Sequence, residues 1–138
     1  MKKKIIIIIA AAILVFMGRE YLFAADSDII LEKLKKLNIE VAGPAEQREE
    51  QLPEEFTGPY WGLLSNICRD SGWDLAAYAG KKVLSTSFPI QEKFGDDSLN
   101  VWVIDSGRRT ACVYKTVREG SELVPGIFPV ENTLKKRN

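Results

Sequence analysis

The spacing of apolar residues changes once along this 138-residue chain, and this change most constrains the fold. Up to Ser71 the apolar residues recur at helical spacing, whereas from Lys82 onwards they alternate, as in a strand with one buried face. Between these parts, Gly72 and Gly80 predict two turns at a hinge. We therefore predict an α+β fold in which one or two helices pack on a small antiparallel sheet.

The helical part divides into two predicted helices. The first begins at cap candidates in residues 26–28 and ends at Asn38, a residue that tolerates the left-handed conformation of a helix stop. The second restarts after Thr57-Gly58-Pro59 and ends at Gly72. Its apolar stripe consists of Tyr60, Trp61, Leu64, Ile67 and Cys68.

Between the helices, residues 39–41 are predicted to form a short strand, and the acidic residues 45–51 to form a solvated loop. Alternation then predicts strands over 82–90, 99–104 and 109–117, with a short edge strand at 127–130. Because proline cannot donate to a ladder, Pro89 predicts that the end of the 82–90 strand lies at an edge of the sheet. The 99–104 strand is predicted to be central.

The turn at residues 105–108 determines how the last two long strands pair. With Ser106-Gly107 as a two-residue loop, the predicted pairs are Val103 with Thr110, Val101 with Cys112, and Leu99 with Tyr114.

If the second helix packs on that face, Cys68 could reach Cys112 and close a 45-residue loop, counted inclusively. Two alternatives stay open, a disulfide of an exported protein or two buried thiols that pack as small apolar side chains.

The N-terminal residues 1–25 have the pattern of a targeting segment. Three lysines precede 13 apolar residues, Ile5 to Met17, and extension to Ala25 gives enough length to cross a hydrocarbon core of about 30 Å. One interpretation is an uncleaved single-pass anchor that holds a domain of residues 26–130 outside the cytoplasm, with the membrane as partner. The alternative is a cleaved signal peptide and a secreted domain. A basic tail, residues 131–138, follows.

Composition excludes several classes of function. The chain has no histidine, which excludes Ser-His-Asp and Cys-His catalysis and histidine-ligated zinc. Two cysteines are too few for an all-thiolate zinc site. Beyond residue 25 the chain has 15 basic and 18 acidic residues, so it lacks the charge that nucleic-acid binding requires. We predict no cofactor.

A few residues could carry chemistry, but each has a simpler structural interpretation. Asp70 and Asp74 could form a carboxylate pair for acid–base catalysis, or Asp74 could cap a turn. The acidic turn at residues 96–98, with Asp105, could bind Ca²⁺ or could be a plain turn. Aromatic side chains could line a ligand groove or could belong to the core, namely Trp61, Trp73 and Tyr78. We predict no catalytic or metal-binding residue.

The pattern over Leu52–Gly80 resembles the bacterial family known as domain of unknown function 4830. The resemblance includes Leu37-Asn38-Ile39-Glu40-Val41 and Leu52-Pro53-Glu54-Glu55-Phe56, and it departs at residues 113–117, where the family is rich in Gly, Asp and His. It implies a membrane segment followed by a small exported domain, and no established activity. The motif residues are Gly72, Trp73, Asp74, Leu75, Tyr78, Gly80 and Lys81.

These observations favour a non-catalytic domain that binds a protein or another component of the cell envelope. One alternative is a small cell-wall hydrolase that uses the carboxylates of Asp70 and Asp74. Another is a secretion or folding accessory protein, in which the 82–90 strand pairs with a strand of a client protein.

Overall fold

The computed structural model describes residues 27–118 and 126–134. The chain divides into two compact units, residues 1–33 and 34–138. The predicted anchor or signal peptide over residues 1–25 lies outside the described residues, as do residues 135–138 of the predicted tail. Within the described ranges, no helix has both the length and the apolar character needed to cross a membrane.

The described part contains two α-helices and five antiparallel strands, which confirms the α+β prediction. Helix α1 covers residues 27–36 and helix α2 covers Gly58–Asp70, with a short 3-10 helix at Leu75–Tyr78. The strands lie in the order β1-β2-β3-β4-β5 across a single sheet. Their bounds are Glu46–Gln51 for β1, Lys82–Phe94 for β2, Asp97–Ser106 for β3, Arg109–Val117 for β4 and Ile127–Pro129 for β5.

The loop predicted over residues 45–51 is wrong, because this segment forms the edge strand β1. It pairs with β2 from Glu46 opposite Ser87 to Gln51 opposite Lys82. Over Lys82–Ser87 the predicted 82–90 strand lies between β1 and β3, and only its end at Pro89 lies beyond β1. Its pairing with a client strand is blocked over Lys82–Ser87, where β1 already occupies that side.

Pro89 is tolerated in β2 because it lies beyond the last residue that pairs with β1. Its carbonyl oxygen accepts a 2.7 Å hydrogen bond from the backbone N–H of Ala42. The short strand predicted at residues 39–41 is reduced to a single bridge between Val41 and Ile90. One proline thus marks the point where the neighbour of β2 changes from a strand to an irregular segment.

The helix ends follow the sequence signals. Asn38 has a φ of 61°, the left-handed conformation predicted for the stop after α1. Thr57 occupies the N-cap of α2, with proline in the first turn. Leu64 and Cys68 are the fully buried part of its stripe, and α2 packs against β4 and β5.

The predicted register of the β3–β4 hairpin is wrong. The loop is Gly107-Arg108, because Ser106 pairs with Arg109. Gly107 has a φ of 59°, which suits the first loop position of a type II′ turn. The register then shifts between Ile104 and Asp105. The shift is a β-bulge, and it further displaces the remaining pairs.

The bulge determines which face of the sheet carries Cys112. Cys112 lies opposite Ile104 rather than Val101, so it points towards α2 from the face that also carries Trp102. A disulfide joins it to Cys68, with the two Cα atoms 5.7 Å apart. Of the two alternatives for the cysteines, the structure therefore contains the disulfide and not two free thiols.

The opposite face of the sheet carries a second part of the apolar core. Alternation along β3 and β4 places Val101, Val103 and Val113 together there, and all three are almost completely buried. On β2, Thr86 and Phe88 lie directly opposite Val103 and Val101. Other buried apolar residues of the second unit include Leu34, Ile39, Leu52, Leu75 and Leu99.

Candidate binding groove

An open groove lies in the second unit, on the face of the sheet that carries Lys115. Its volume is about 780 Å³, which is within the usual range of ligand pockets. It is formed by the segment after α1, by the far part of β2 and by β4. We call it the groove, and its lining residues are Lys35, Asn38, Ile39, Glu40, Ile90, Gln91, Glu92 and Lys115.

The wall after α1 is shaped by the left-handed residue Asn38. Two backbone bonds close this corner, from the N–H of Asn38 to the carbonyl of Lys35 at 3.0 Å and from the N–H of Ile39 to the carbonyl of Leu34 at 2.9 Å. The turn reverses the chain so that the buried side chain of Ile39 follows the exposed side chain of Asn38. Asparagine fits here because its short polar side chain tolerates a positive φ.

The opposite wall is formed by an irregularity in β2. The pairing of β2 with β3 shifts register between Pro89 and Lys93, so the residues between them leave the regular ladder. Gln91 instead donates its N–H to the carbonyl of Glu40 at 2.9 Å, which connects the two walls. β-Bulges are over-represented beside functional sites because they re-aim side chains.

Charges of both signs surround an apolar floor. Ile39 and Ile90 are only 7% and 4% exposed. Lys115 pairs with Glu92, and the lysine side chain is 17% exposed while that of the glutamate is 56% exposed. A pair this open is screened by solvent and adds little stability. The groove therefore has a polar rim, and its apolar floor offers only a small exposed area.

Two aromatic side chains extend the same face beyond Lys115. Phe128 on β5 lies directly opposite Lys115, and its ring centroid is 4.9 Å from that of Phe94. Phe94 is 50% exposed, which is unusual for so large an apolar residue in the second unit. The two rings provide an apolar patch next to the polar rim of the groove.

The other face of the sheet carries a row of stacked side chains that links three strands. The guanidinium carbon of Arg48 lies 5.0 Å from the ring centroid of Trp102, and the ring of Tyr114 lies parallel to Trp102 at 6.3 Å. The indole nitrogen of Trp102 donates to the hydroxyl of Thr116 at 2.8 Å. Because the indole is half-buried and its nitrogen is hydrogen-bonded, Trp102 has a structural role.

Burial raises the pKa of the Tyr114 hydroxyl, and the neighbouring Tyr60 hydroxyl and Glu50 carboxylate raise it further. The charge of Arg48 acts in the opposite direction. The dominant cause is desolvation, since ionisation would place a charge beneath α2. Tyr114 therefore stays neutral at physiological pH and acts as a hydrogen-bonding core residue.

The predicted motif at the hinge has a structural role. The indole of Trp73 is buried and donates to the carbonyl of Val130 at 2.8 Å. Asp74 caps the 3-10 helix by accepting the N–H of Ala77 at 3.3 Å, and Leu75 is 1% exposed. The Lys81 ammonium lies 5.5 Å from the centre of the Tyr78 ring.

Two glycines of that motif have left-handed backbone. The φ of Gly72 is 90° and that of Gly80 is 72°. Gly80 also donates its N–H to the carbonyl of Pro53 and accepts from the side chain of Gln51. These residues turn the chain from α2 into β2, as the change of period indicated, and none of them faces the groove.

The residues considered for catalysis or metal binding are not brought together. The side chain of Asp70 is 77% exposed, next to Arg69, while Asp74 is an exposed cap. Among the acidic residues, Asp96 lies in the β2–β3 turn and Asp105 accepts from Thr110 near the far hairpin. Residues 27–118 and 126–134 contain no group of three acidic or cysteine side chains placed to hold a metal ion.

Of the aromatic residues considered for a ligand groove, Trp73 is buried and Trp61 is half-buried. Trp61 makes edge-on contacts with Phe56 and Tyr60, with ring centroids 6.0 and 5.1 Å apart. These contacts assign Trp61 to packing at the start of α2. The aromatic residues beside the groove, Phe94 and Phe128, are different ones.

Comparison with protein families, with curated proteins and with solved structures finds no match to this chain. The resemblance over Leu52–Gly80 therefore stays a prediction.

Sequence reasoning missed the groove because its residues come from three separate segments. Asn38 was the one accessible signal, since it was predicted to adopt the left-handed conformation that forms one wall. No periodicity marks the β2 irregularity, where alternation continues through Ile90.

Proposed function

We propose that this chain is a non-catalytic binding domain of the cell envelope, and that the groove holds an extended segment of a partner protein. The observation that carries the proposal is the convergence of a left-handed turn and a strand irregularity on one open cavity. The exposed ring of Phe94 beside the groove supplies apolar contact, and both signs of charge at the rim suit a polypeptide.

Location at the envelope is supported by two features. Residues 1–25 have the composition of an anchor or signal peptide. The Cys68–Cys112 disulfide is of the kind that persists in oxidising compartments and is rare in the cytosol. An anchored domain outside the cytoplasm and a secreted domain are both consistent with these features, and we favour the anchored form.

The two alternatives have less support. A carboxylate-based hydrolase would need Asp70 or Asp74 beside a second acid in a cleft, and both side chains are exposed outside the groove. A client strand added to the 82–90 segment would have to displace β1. A partner protein bound in the groove requires neither a pair of carboxylates in a cleft nor the displacement of β1.

Photo-crosslinking of the full-length chain in its membrane tests the proposal. A photoreactive amino acid replaces Gln91, which lines the groove, and the matched control replaces the exposed Lys93, two residues along the same strand. We expect one reproducible protein adduct from position 91 that is absent from position 93 and from an isolated 1–25 anchor. Equal adducts from both positions, or none from position 91, would contradict the proposal.

A substitution in the groove provides the second arm of the test. Gln91→Trp fills the groove, while Lys93→Trp adds the same bulk outside it. We expect the partner identified by crosslinking to be lost from the first variant and retained by the second.

A further inference from the structure

Ile29 on helix α1 is an apolar side chain that the fold leaves in solvent. It is 61% exposed, more than Phe94 at 50% and Tyr60 at 47%, the other large apolar side chains that are exposed in residues 27–118 and 126–134. Its neighbour Ile30 is only 3% exposed. Single exposed apolar side chains are ordinary on protein surfaces, so the position of Ile29 in the chain decides whether its exposure has a meaning.

Ile29 lies only four residues after Ala25, where the predicted anchor ends. It belongs to the same compact unit as that segment, residues 1–33. At the helical rise of about 1.5 Å per residue, four residues span about 6 Å. The polar headgroup layer on each side of the hydrocarbon core is about 5–7 Å deep. An anchor that ends at the edge of the hydrocarbon core therefore places Ile29 within that layer.

Charge does not explain a membrane contact at this end of α1. Residues 27–33 contain two acidic residues, Asp28 and Glu32, and one basic residue, Lys33, which gives a net charge of 1 − 2 = −1. Anionic lipid headgroups attract basic segments, whereas this segment is mildly acidic. Affinity for the bilayer surface must therefore come from apolar contact, which the side chain of Ile29 provides.

We propose that Ile29 inserts into the lipid headgroup layer of the membrane that holds the anchor, and that this apolar contact holds the start of α1 at the bilayer surface. The proposal rests on the anchored form of the protein proposed above. Adjacent residues of a helix point about 100° apart. Ile29 can therefore enter the headgroup layer without exposing the buried side chain of Ile30.

Asp28 provides a matched control on the same helix. It is exposed, it is one residue closer to the predicted anchor, and it points about 100° away from Ile29 on the side opposite to Ile30. If distance from the anchor alone determined lipid contact, residue 28 would contact lipid at least as much as residue 29. The proposal requires the reverse order.

Fluorescence quenching of the full-length chain in phosphatidylcholine vesicles tests the proposal. The native cysteines are bonded to each other and fully buried, so Ile29→Cys and Asp28→Cys each introduce a single reactive thiol for an environment-sensitive dye. The quencher is a lipid that carries a nitroxide close to its headgroup. We expect quenching about threefold stronger at residue 29 than at residue 28, because only the first side chain faces the lipid.

Equal quenching at the two positions, or no quenching at residue 29, would overturn the proposal. A mature chain that mass spectrometry shows to lack residues 1–25 would overturn it as well. Neither result affects the groove, which is tested separately at Gln91. Conversely, strong quenching at residue 29 without a crosslinked protein at residue 91 would contradict the groove proposal alone. Circular dichroism checks that each variant folds.

Two further measurements separate apolar contact from charge and from the dye. Replacing part of the phosphatidylcholine with phosphatidylglycerol should leave the quenching ratio unchanged, because lipid charge acts on basic segments. A photoreactive amino acid at residue 29 should form an adduct with phosphatidylcholine, detected as the added mass of one lipid, and the same amino acid at residue 28 should form much less. A chain without a lipid adduct at residue 29, or a ratio that depends on phosphatidylglycerol, would contradict the proposal.

Discussion

The indole nitrogen of Trp73 donates a hydrogen bond to the backbone carbonyl of Val130, although the two residues are 57 positions apart in the chain. This bond connects the hinge after α2 to the segment that follows β5. The backbone N–H of Asn132 strengthens the link by donating to the carbonyl of Ser71 at 2.8 Å. The last described residues are thereby held against the helix end.

Trp73→Phe is expected to lower the free energy of unfolding by about 1–3 kcal/mol, because it removes a buried donor and leaves part of the indole volume empty. Urea unfolding of the full chain measures the change. The matched control is Trp61→Phe, at a half-buried position where the ring packs edge-on against Phe56 and Tyr60, and it should lower the free energy of unfolding by less. If Trp61→Phe lowered the free energy of unfolding more than Trp73→Phe, the hydrogen bond of Trp73 would not be the main stabilising contribution at the hinge.

Reduction of the disulfide is expected to lower the free energy of unfolding by about 3–4 kcal/mol, the chain-entropy value for a loop of this size. Cys68 and Cys112 are both fully buried, so the double variant Cys68→Ala/Cys112→Ala should cost at least as much. Chemical denaturation with and without reductant measures the first effect. Reductant should leave the free energy of unfolding of the double variant unchanged. A further decrease in that variant would show that the reductant acts elsewhere in the protein.

Gly72→Ala is expected to be more destabilising than Gly107→Ala. Both glycines have positive φ, which costs an alanine about 1–2 kcal/mol. A Cβ at residue 72 would also lie 3.3 Å from the Cβ of Asn132, whereas one at residue 107 would meet nothing within 4 Å. Thermal unfolding compares the two variants directly. Equal decreases in melting temperature would mean that the segment around Asn132 moves away from the new Cβ without loss of stability.

Stability should fall at alkaline pH because of Tyr114. Burial raises its pKa in the folded state, so its contribution is fully present below the unfolded-state pKa of about 10 and is lost as the pH rises above it. Tyr114→Phe removes this ionisation. The variant should be less stable than wild type at pH 7 through loss of the Tyr60 contact, and the difference should narrow between pH 9 and about 11. Parallel pH dependences would contradict this assignment.

The sequence predicted the elements whose apolar pattern matches their burial. Helix α2, the central position of β3 and the stop at Asn38 all follow from periodicity and capping. Strand β1 was missed because none of its six residues is apolar. It is a strand because its backbone completes the β2 ladder, and because Arg48 and Glu50 find partners across the sheet.

The hairpin and the groove were missed for a different reason. Gly107 can occupy either position of a two-residue loop, and a bulge beyond the loop has no signal in alternation, so the face of Cys112 could not be deduced. The groove depends on which segments meet in space. Local patterns do not contain that information.

The strand order has a consequence for how the molecule assembles. Strands β2, β3 and β4 follow one another through short turns, whereas residues 52–81 separate β1 from β2. Closing that long loop costs more chain entropy than closing a hairpin. We therefore expect β1 to join the sheet last and to detach first. Pulsed hydrogen exchange should find the amides of Arg48 and Glu50 protected after those of β3, so the sheet would be complete only in this final step.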